Sequence, residues 1–348
     1  MHPTTVGVDL AKSVFEVAVA DAHWHLIARH RFTRRQFERF LASQPACHVV
    51  MEACGTAHYW GRVAHGHGHR VTLLPAQFVR PYVRGNKTDR TDAEALVEAV
   101  RSGRIIPVAV KTVAQQELLA LHRLRAQWMS TRTARINAVR GFLREQGLDV
   151  PRGARRAVAA LPALVEDADT ALPGRLREGL ALLYEEIRSV EARITVIEQR
   201  LATFVTTDPV APRLLTIPGV GLLTATALIG AVGQIHGFRR GRHFANWLGL
   251  TPREHSSGPR RSLGRITKRG DVYLRCLLTH GARAALLAAH RRAAAGRPVT
   301  RLQQWALAVA ARRGTNKATI ALANKLARIV WAVWRFDVPF MAAPALTA

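Results

Sequence analysis

The 348-residue chain is strongly basic, with 51 Lys and Arg against 24 Asp and Glu and a formal net charge of +27. This balance suits a polyanion such as a nucleic acid and argues against an acidic protein or a small molecule as the main partner. The charge is concentrated near the C-terminus, where residues 235–348 hold 21 Lys and Arg but only 3 Asp and Glu. The length allows two or three domains, each with its own core.

The cysteine content and the hydropathy pattern indicate where in the cell the protein is expected. Cys47, Cys54 and Cys276 form no CxxC pair and are too few for a disulfide framework. The N-terminus has no basic segment followed by an apolar stretch, and no run of about 18 apolar residues occurs anywhere. We therefore expect a cytoplasmic protein without a membrane partner.

The first hundred residues alternate between strand and helix patterns. Three β-prone runs predict an antiparallel meander: Thr4–Leu10, Val14–Ala20 and Trp24–Phe32. The elements expected after them are a helix at Thr33–Ser43, a strand at His48–Ala53, a helix at Thr56–His65, a strand at Arg70–Leu74, and helices near Gln77–Arg84 and Thr91–Ser102. This order predicts an α/β domain of the ribonuclease H-like class over residues 1–110.

Four carboxylates of this segment are candidate metal ligands. Asp9 and Glu52 end the first and fourth predicted strands, and Asp89 and Asp92 lie at the start of a late helix. Phosphodiester chemistry uses hard oxygen ligands to hold Mg²⁺, which stabilises the attacking and leaving oxygens. The four acids together therefore predict a magnesium-dependent enzyme that acts on a nucleic acid backbone.

Each acid also has an ordinary structural interpretation. Asp9 can cap the turn after its strand and pair with Lys12. Acids favour helix N-termini, and Thr91 with Glu94 has the spacing of a capping box, which would account for Asp89 and Asp92. Glu52 is the hardest to explain in this way, because it ends an apolar run in which an uncompensated charge is costly.

The middle of the chain is predicted to be helical. Apolar residues recur at spacings of three and four along Thr112–Gln146 and Ala171–Phe204. The second stripe continues over roughly four heptads, which predicts an antiparallel or intermolecular coiled coil within residues 111–207. Pro151, Pro162 and Pro173 indicate a turn region between the two helices.

Residues 208–348 are predicted to form a helical domain. The segment Ile217-Pro-Gly-Val-Gly221 resembles the hairpin of a helix-hairpin-helix element, in which Gly219 and Gly221 would let the backbone approach a phosphate. A plain interhelical turn explains the same residues equally well. Helices are then expected at Asp271–His290, Thr300–Ala311 and Lys317–Trp334. Tryptophans at helical spacing here, Trp305, Trp331 and Trp334, favour core packing over base stacking.

A basic loop over Arg253–Arg269 contains two consecutive serines, Ser256 and Ser257, followed by Gly258. Alone, this sequence indicates a flexible turn. The cations around it change the interpretation, because they would favour attack by a serine hydroxyl on a phosphate and stabilise the charge that develops. The cations assigned to nucleic-acid binding are Arg260, Arg261, Arg265, Lys268 and Arg269.

Several motifs, in this order, resemble the insertion sequence 110 and 1111 transposases and the related Piv-type DNA invertases. They cover nearly the whole chain: Gly7-Val-Asp-Leu-Ala-Lys12, Met51-Glu-Ala-Cys-Gly55, Asn86-Lys-Thr-Asp-Arg-Thr-Asp-Ala-Glu-Ala95, Ile217-Pro-Gly-Val-Gly221, Leu248-Gly-Leu-Thr-Pro252, Ser256-Ser-Gly258 and Ile266-Thr-Lys-Arg-Gly270. The resemblance implies a RuvC-like N-terminal domain, a coiled coil and a helical C-terminal transposase domain.

The resemblance also implies roles for individual residues. Asp9, Glu52, Asp89 and Asp92 would be the metal ligands, and Ser257 would be the nucleophile. The expected assembly is a homo-oligomer, a dimer or tetramer, whose active sites combine acids and serine from different subunits and whose DNA sites are chosen by a guide RNA from the element. This chain departs from the family at Pro259, where a second glycine is common, and this leaves open which of the two serines attacks.

The leading hypothesis is thus a Mg²⁺-dependent DNA transposase or recombinase that cuts and rejoins strands through a phosphoserine intermediate. One alternative is a RuvC-like structure-specific endonuclease that uses the four acids and water. Another is a catalytically inactive nucleic-acid-binding protein. The endonuclease would be indifferent to the serines, and the binding protein would show salt-sensitive binding without cleavage.

Overall fold

A computed structural model describes residues 4–83, 88–167, 169–170 and 172–344. The chain folds as two compact units, one comprising Met1–Gln116 with Val232–Gly237 and the other Glu117–Ala231 with Phe238–Ala348. The finer division into residues 1–110, 111–207 and 208–348 remains a prediction.

The first unit is a mixed α/β structure around a five-stranded sheet. Its strands are β1 (Thr5–Leu10), β2 (Val14–Ala20), β3 (Leu26–Thr33), β4 (His48–Glu52) and β5 (Arg70–Leu74). Its helices are α1 (Arg34–Ser43), α2 (Ala57–Gly66), α3 (Ala76–Val79) and α4 (Asp89–Arg101), with short 3₁₀ turns at Arg80–Tyr82 and Ile235–Gly237. All five predicted strands are confirmed. The helix predicted near Gln77–Arg84 is a short helix followed by a 3₁₀ turn, and residue 84 lies outside the described residues.

The sheet has the strand order β3-β2-β1-β4-β5, in which β1, β2 and β3 are antiparallel neighbours while β4 and β5 run parallel to β1. Alternate residues of each strand face opposite sides. One face packs on α1 and α2 through Phe15, Phe37 and Trp60, whose rings meet edge to face. The other face is covered by α4, whose Leu96 packs with Val50 of β4.

The remaining elements are mainly helical, with one hairpin. The helices are α5 (Val113–Glu145), α6 (Ala154–Glu166), α7 (Gly174–Thr207), α8 (Ala211–Leu215), α9 (Leu222–Val232), α10 (Gly241–Trp247), α11 (Val272–Ala294), α12 (Arg301–Arg313) and α13 (Thr315–Phe336). The hairpin strands are β6 (Pro252–Glu254) and β7 (Leu263–Ile266). The basic loop expected over Arg253–Arg269 within the helical C-terminal region is therefore wrong in part, because β6 and β7 form a hairpin there.

The turn region predicted between the two long helices is also wrong, because α6 forms there and includes Pro162. A proline inside a helix costs about 3 kcal/mol through a lost hydrogen bond and a clash. Burial of Ala157, Val158 and Leu161 in the same core as the two long helices offsets this cost.

The long helices α5 and α7 lie side by side within one chain. Three ion pairs connect them: Arg125–Glu198 at 2.7 Å, Arg132–Glu191 at 2.5 Å and Arg135–Glu186 at 2.7 Å. Because the residue number falls along α7 as it rises along α5, the two helices are antiparallel. The two helices therefore pair within one chain, and the coiled coil itself remains a prediction.

Two further expectations concern cysteines and membrane spans. Cys47, Cys54 and Cys276 are all free thiols. Among the described residues, no helix combines the length and the apolar character that a bilayer crossing requires.

Candidate active site

Asp9 and Glu52 lie at the same end and on the same face of the sheet. Strands β1 and β4 are parallel with Val8 opposite Met51, so the two acids follow directly in register. Val50 faces α4, and residues two apart on a strand share a face, which places Glu52 on the α4 side. Gly7 contacts α4 as well, and the same alternation places Asp9 there. Both acids are half-buried.

The other two acids occupy the first turn of α4, where they were expected. Asp89 is exposed and Asp92 is half-buried. The capping box predicted from Thr91 and Glu94 is wrong, because α4 begins earlier and Thr88 is its N-cap, with Thr91 as the reciprocal partner. Glu94 instead accepts a hydrogen bond at 2.7 Å from Nε of Arg29 on β3.

A close backbone approach fixes the start of α4 against β1. A Cβ atom at Gly7 would lie 2.5 Å from the Ala93 carbonyl oxygen and 2.8 Å from Cγ2 of Val97. Ala93 directly follows Asp92, and Gly7 precedes Asp9 by two residues. The packing therefore brings the acid-bearing ends of β1, β4 and α4 to one edge of the sheet.

The carboxylate oxygens at this edge are suitable ligands for a divalent cation, although the acids alone do not form a complete metal site. Among the residues that the structure describes, no three His, Cys, Asp or Glu side chains lie close enough together to hold a metal ion. Mg²⁺ is often bound by one or two carboxylates together with water and substrate phosphates, so a protein cage of three ligands is not required. Asp9 and Glu52 are the two acids that the sheet itself holds in register.

A fifth acid at this edge, Glu16, was missed from the sequence. It lies directly opposite Asp9 in the antiparallel register of β1 and β2 and forms a 3.4 Å ion pair with Arg31. Like charges placed opposite each other across two strands destabilise a sheet unless a cation compensates them. The available signal was positional, because Glu16 is a charged residue between Phe15 and Val17, both of which are buried.

The serine motif lies at the tip of the β6–β7 hairpin. Ser257 and Arg260 exchange two backbone hydrogen bonds of 3.2 Å around a two-residue turn formed by Gly258 and Pro259. Gly258 has φ +54°, and a proline after it cannot adopt positive φ. This combination matches the type II′ turn, one of the two turns that favour tight hairpins. Pro259 is therefore compatible with an ordered tip.

The two serines have different environments. The Ser256 hydroxyl donates to Oε1 of Glu254 at 2.8 Å and accepts from the Ser262 amide at 3.3 Å, so it ties the two sides of the hairpin together. This hydrogen bond holds the pKa of Glu254 below its ordinary value, and the charge of Arg261 contributes in the same direction. Both serines are exposed, and the Ser257 hydroxyl has no hydrogen-bond partner among the described residues.

The base of the hairpin is held by backbone contacts. The Thr267 amide donates to the Thr251 carbonyl at 2.9 Å, and the Lys268 amide donates to the Gly249 carbonyl at 3.1 Å. Gly249 and Gly270 have φ +70° and +84°, and a Cβ at either would meet the backbone of the opposite segment. The motifs Leu248-Gly-Leu-Thr-Pro252 and Ile266-Thr-Lys-Arg-Gly270 thus pack against each other at the base of the hairpin. All five basic residues assigned to nucleic-acid binding are exposed: Arg260, Arg261, Arg265, Lys268 and Arg269.

The two glycines of the predicted phosphate-binding turn differ in role. Gly219 has φ +84°, and a Cβ there would collide with the carbonyl of Gly281 on α11, so its missing side chain serves internal packing. Gly221 has open space where a Cβ would stand. Phosphate binding at this turn remains a prediction.

Comparisons with known proteins find relatives over most of the chain. Residues 6–147 match a family model for IS110 transposases of the DEDD type, and residues 211–296 match one described as the transposase IS116/IS110/IS902 family. A probable family 20 transposase of Pseudomonas aeruginosa is 43% identical over 96% of this chain and 97% of its own length. The transposase of insertion sequence element IS1111A from Coxiella burnetii is 40% identical over 94% of this chain and 88% of its own. A pilin gene-inverting protein of Moraxella bovis is 24% identical over 74% of this chain and 75% of its own.

An acid-bearing α/β unit and a second unit with a basic hairpin, together with these matches, define a DNA-processing transposase. The chain belongs to the IS110 family of transposases, and its relatives named for the IS1111A and IS1328 elements are 40% and 37% identical to it. The resemblance inferred from the motifs is confirmed. DNA is accordingly a partner of this protein, and its DEDD domain indicates a requirement for a divalent metal.

Proposed function

We propose that this transposase cleaves and rejoins DNA through a phosphoserine formed on Ser257. The observation that carries the proposal is the contrast in hydrogen bonding between two exposed serines. The Ser256 hydroxyl is hydrogen-bonded within the hairpin, whereas the Ser257 hydroxyl at the tip has no hydrogen-bond partner among the described residues. Exposed arginines on both hairpin strands would attract the phosphodiester and stabilise charge on its oxygens. Glu254 is the one acid among residues 252–270.

In the proposed step, Oγ of Ser257 bonds to phosphorus and the bond from phosphorus to one deoxyribose oxygen breaks. The serine proton is transferred, in net terms, to the departing oxygen, which becomes a free strand hydroxyl. One phosphodiester is exchanged for another, so the reverse reaction can rejoin a strand without an external energy source. This reversibility suits recombination better than hydrolysis.

Asp9, Glu52, Asp89 and Asp92 would hold the divalent cation, for which we propose Mg²⁺. Such an ion supplies Lewis-acid stabilisation of charge on a phosphate. The strand order β3-β2-β1-β4-β5, with three antiparallel strands followed by two parallel ones, supports an RNase H-like, RuvC-like fold for the first unit. The four side chains come from two neighbouring strands and the helix that packs on them, as the proposal requires.

The proposal extends to the assembly. We propose a homo-oligomer in the cytoplasm, without a membrane partner, whose choice of DNA sites depends on a guide RNA encoded by the element. The antiparallel pair α5 and α7 would serve as the coiled-coil segment, supported by its ion pairs. Gly221 and the hairpin cations would contribute phosphate contacts.

Covalent trapping tests the central step. Purified protein is incubated with Mg²⁺ and a plasmid that carries the element with its flanking DNA, and protein that remains on the DNA in detergent is measured. Ser257→Ala is expected to abolish the adduct, whereas the matched control Ser256→Ala keeps it at a reduced level. An adduct retained by Ser257→Ala would contradict the proposal. Cleavage to hydrolysed ends in both variants would instead support the RuvC-like endonuclease.

A further inference from the structure

A second basic surface lies in the C-terminal unit, away from the hairpin tip. Two adjoining depressions of about 710 and 730 Å³ share Lys325 and Ile329 of α13 and are bordered by α10 and α12. We call them together the α13 groove. Its charged lining residues are Arg240, Arg242, Arg301, Lys325 and Arg328, accompanied by His243. No Asp or Glu is among the described residues that line it.

No carboxylate of the described residues pairs with the cations of the α13 groove. Arg240, Arg242 and Arg328 are exposed, and none of them has a carboxylate partner in the described part of the chain. The arginines between α5 and α7 differ, since Arg125, Arg132 and Arg135 are each paired with a glutamate. Unpaired cations gathered in a concave surface repel one another and attract a polyanion.

Lys325 is the centre of the groove. Lys325 is half-buried as a residue, and its ammonium lies 4.1 Å from the centre of the Trp305 ring. Burial lowers the pKa of Lys325, and the nearby charges of Arg328 and Arg301 lower it further. A phosphate bound here would compensate all three cations.

The aromatic side chains of the groove favour a duplex over a single strand. A single strand is usually bound by stacking its bases on exposed rings. Here Lys325 covers the Trp305 ring, and Trp331 donates its indole N–H to the Phe238 carbonyl at 2.8 Å while its ring meets Phe336 edge-on. The two tryptophan rings are thus engaged within the protein, which leaves phosphate contacts as the main means of binding.

The groove is also connected to the base of the serine hairpin. Asn324, which precedes Lys325 on α13, donates its side-chain amide to the Leu250 carbonyl at 3.0 Å. Leu250 is two residues before the start of β6. Successive helix residues are turned by roughly 100°, so the hairpin base and the groove occupy adjacent faces of α13.

From this geometry we propose that the α13 groove binds the phosphate backbone of duplex DNA, as a second contact separate from the hairpin that carries Ser257. The inference goes beyond the proposed phosphoserine chemistry and does not depend on it. It rests on the charge of the groove and on DNA as the substrate of the family. The duplex held here would pass the base of the hairpin.

Binding measurements with the full chain test the groove. A short fluorescein-labelled duplex of random sequence is titrated with the wild type, with Arg242→Gln/Arg328→Gln, and with the control Arg312→Gln/Arg313→Gln, which removes equal charge from the exposed end of α12. The groove variant is expected to bind about tenfold more weakly than the control, with a salt slope reduced by about two. Arg242→Lys/Arg328→Lys should restore most of the binding.

Other results would overturn the proposal. Equal affinities and salt slopes for the groove and control variants would do so, as would a groove variant that loses binding to a structured RNA but keeps its affinity for the duplex. If the double variant does not fold, the acetylation of Lys325 is measured in the wild-type protein with and without the duplex. Bound DNA is expected to protect Lys325, and equal acetylation in both samples would contradict the inference. Covalent trapping at saturating DNA reports on Ser257 separately, so the two proposals can fail independently.

Discussion

Gly7 of β1 and Ala93 of α4 approach so closely that a single added methyl group would lie 2.5 Å from the Ala93 carbonyl oxygen. This approach ties the helix that carries Asp89 and Asp92 to the strand that carries Asp9. In the family motif Gly7-Val-Asp9, Gly7 thus packs against α4 and Asp9, two positions later, is a candidate metal ligand. The spacing of the motif follows from the period of a strand, which puts both residues on one face.

We expect Gly7→Ala to destabilise the first unit by about 1–3 kcal/mol, since the methyl group must displace α4. Metal-dependent cleavage should fall more steeply than stability, because the displaced helix carries two of the four acids. Urea unfolding and cleavage assays measure the two effects. The control is Gly66→Ala, where no atom lies within 4 Å of the added Cβ. A Gly7→Ala protein with wild-type activity would show that the position of α4 is unimportant.

We expect Glu16→Gln to raise the Mg²⁺ concentration needed for half-maximal cleavage by about tenfold, the size of effect seen for groups just outside a ligand shell. The reason is its place directly opposite Asp9, where its charge adds to the attraction for a cation. The matched control is Glu38→Gln on α1, an exposed acid outside this edge. An unchanged metal dependence would assign Glu16 to its ion pair with Arg31 alone.

Alanine substitutions at the two glycines of the predicted phosphate-binding turn, Gly219 and Gly221, should differ in their effect on the free energy of unfolding. Gly219→Ala requires a left-handed backbone and meets the Gly281 carbonyl, so the free energy of unfolding should fall by more than about 2 kcal/mol. Gly221→Ala has room and should leave stability unchanged. A loss of DNA affinity in a stable Gly221→Ala protein would support phosphate contact at the turn, and normal affinity would remove this residue from the interface.

Stability should fall as the pH is lowered from about 6.5 toward 4, in part because of His122 on α5. Burial first, and then the charge of Arg125, lower the pKa of His122 to about 4. The neutral ring bonds the Thr226 and Tyr273 hydroxyls at 2.9 and 3.0 Å. Because the folded-state pKa lies below the unfolded value, the stabilisation is complete above pH 6.5 and is lost during acidification, at up to about 1.4 kcal/mol per pH unit.

Urea unfolding of His122→Gln across this pH range measures the contribution of His122. The variant should show a shallower pH dependence than the wild type, and the control His280→Gln, an exposed histidine of α11, should not. Burial also lowers the pKa values of His48 and His58 to about 4, so these two histidines should contribute to the slope that remains. Identical slopes for the wild type and His122→Gln would contradict this assignment.

The order of motifs identified the family, and local patterns located most elements to within a few residues. Strand alternation and apolar runs are local properties, which explains why β1 to β5 and the two long helices were found. The misplaced elements depend on distant contacts. The helix α6 is stabilised by apolar burial against α5 and α7 despite Pro162, and the hairpin over Arg253–Arg269 is closed by glycine contacts at its base.

The sequence alone determined the acids, the two candidate serines and the excess of cations, because residue type and spacing along one element are written in the chain. Only the tertiary structure decided which of these groups are hydrogen-bonded or packed within the protein. It engaged the Ser256 hydroxyl inside the hairpin, placed Glu16 opposite Asp9, and set Gly219 against Gly281. It also gathered Arg242, Lys325 and Arg328 into one groove. Pairing and packing between distant segments make these distinctions, and no local pattern encodes them.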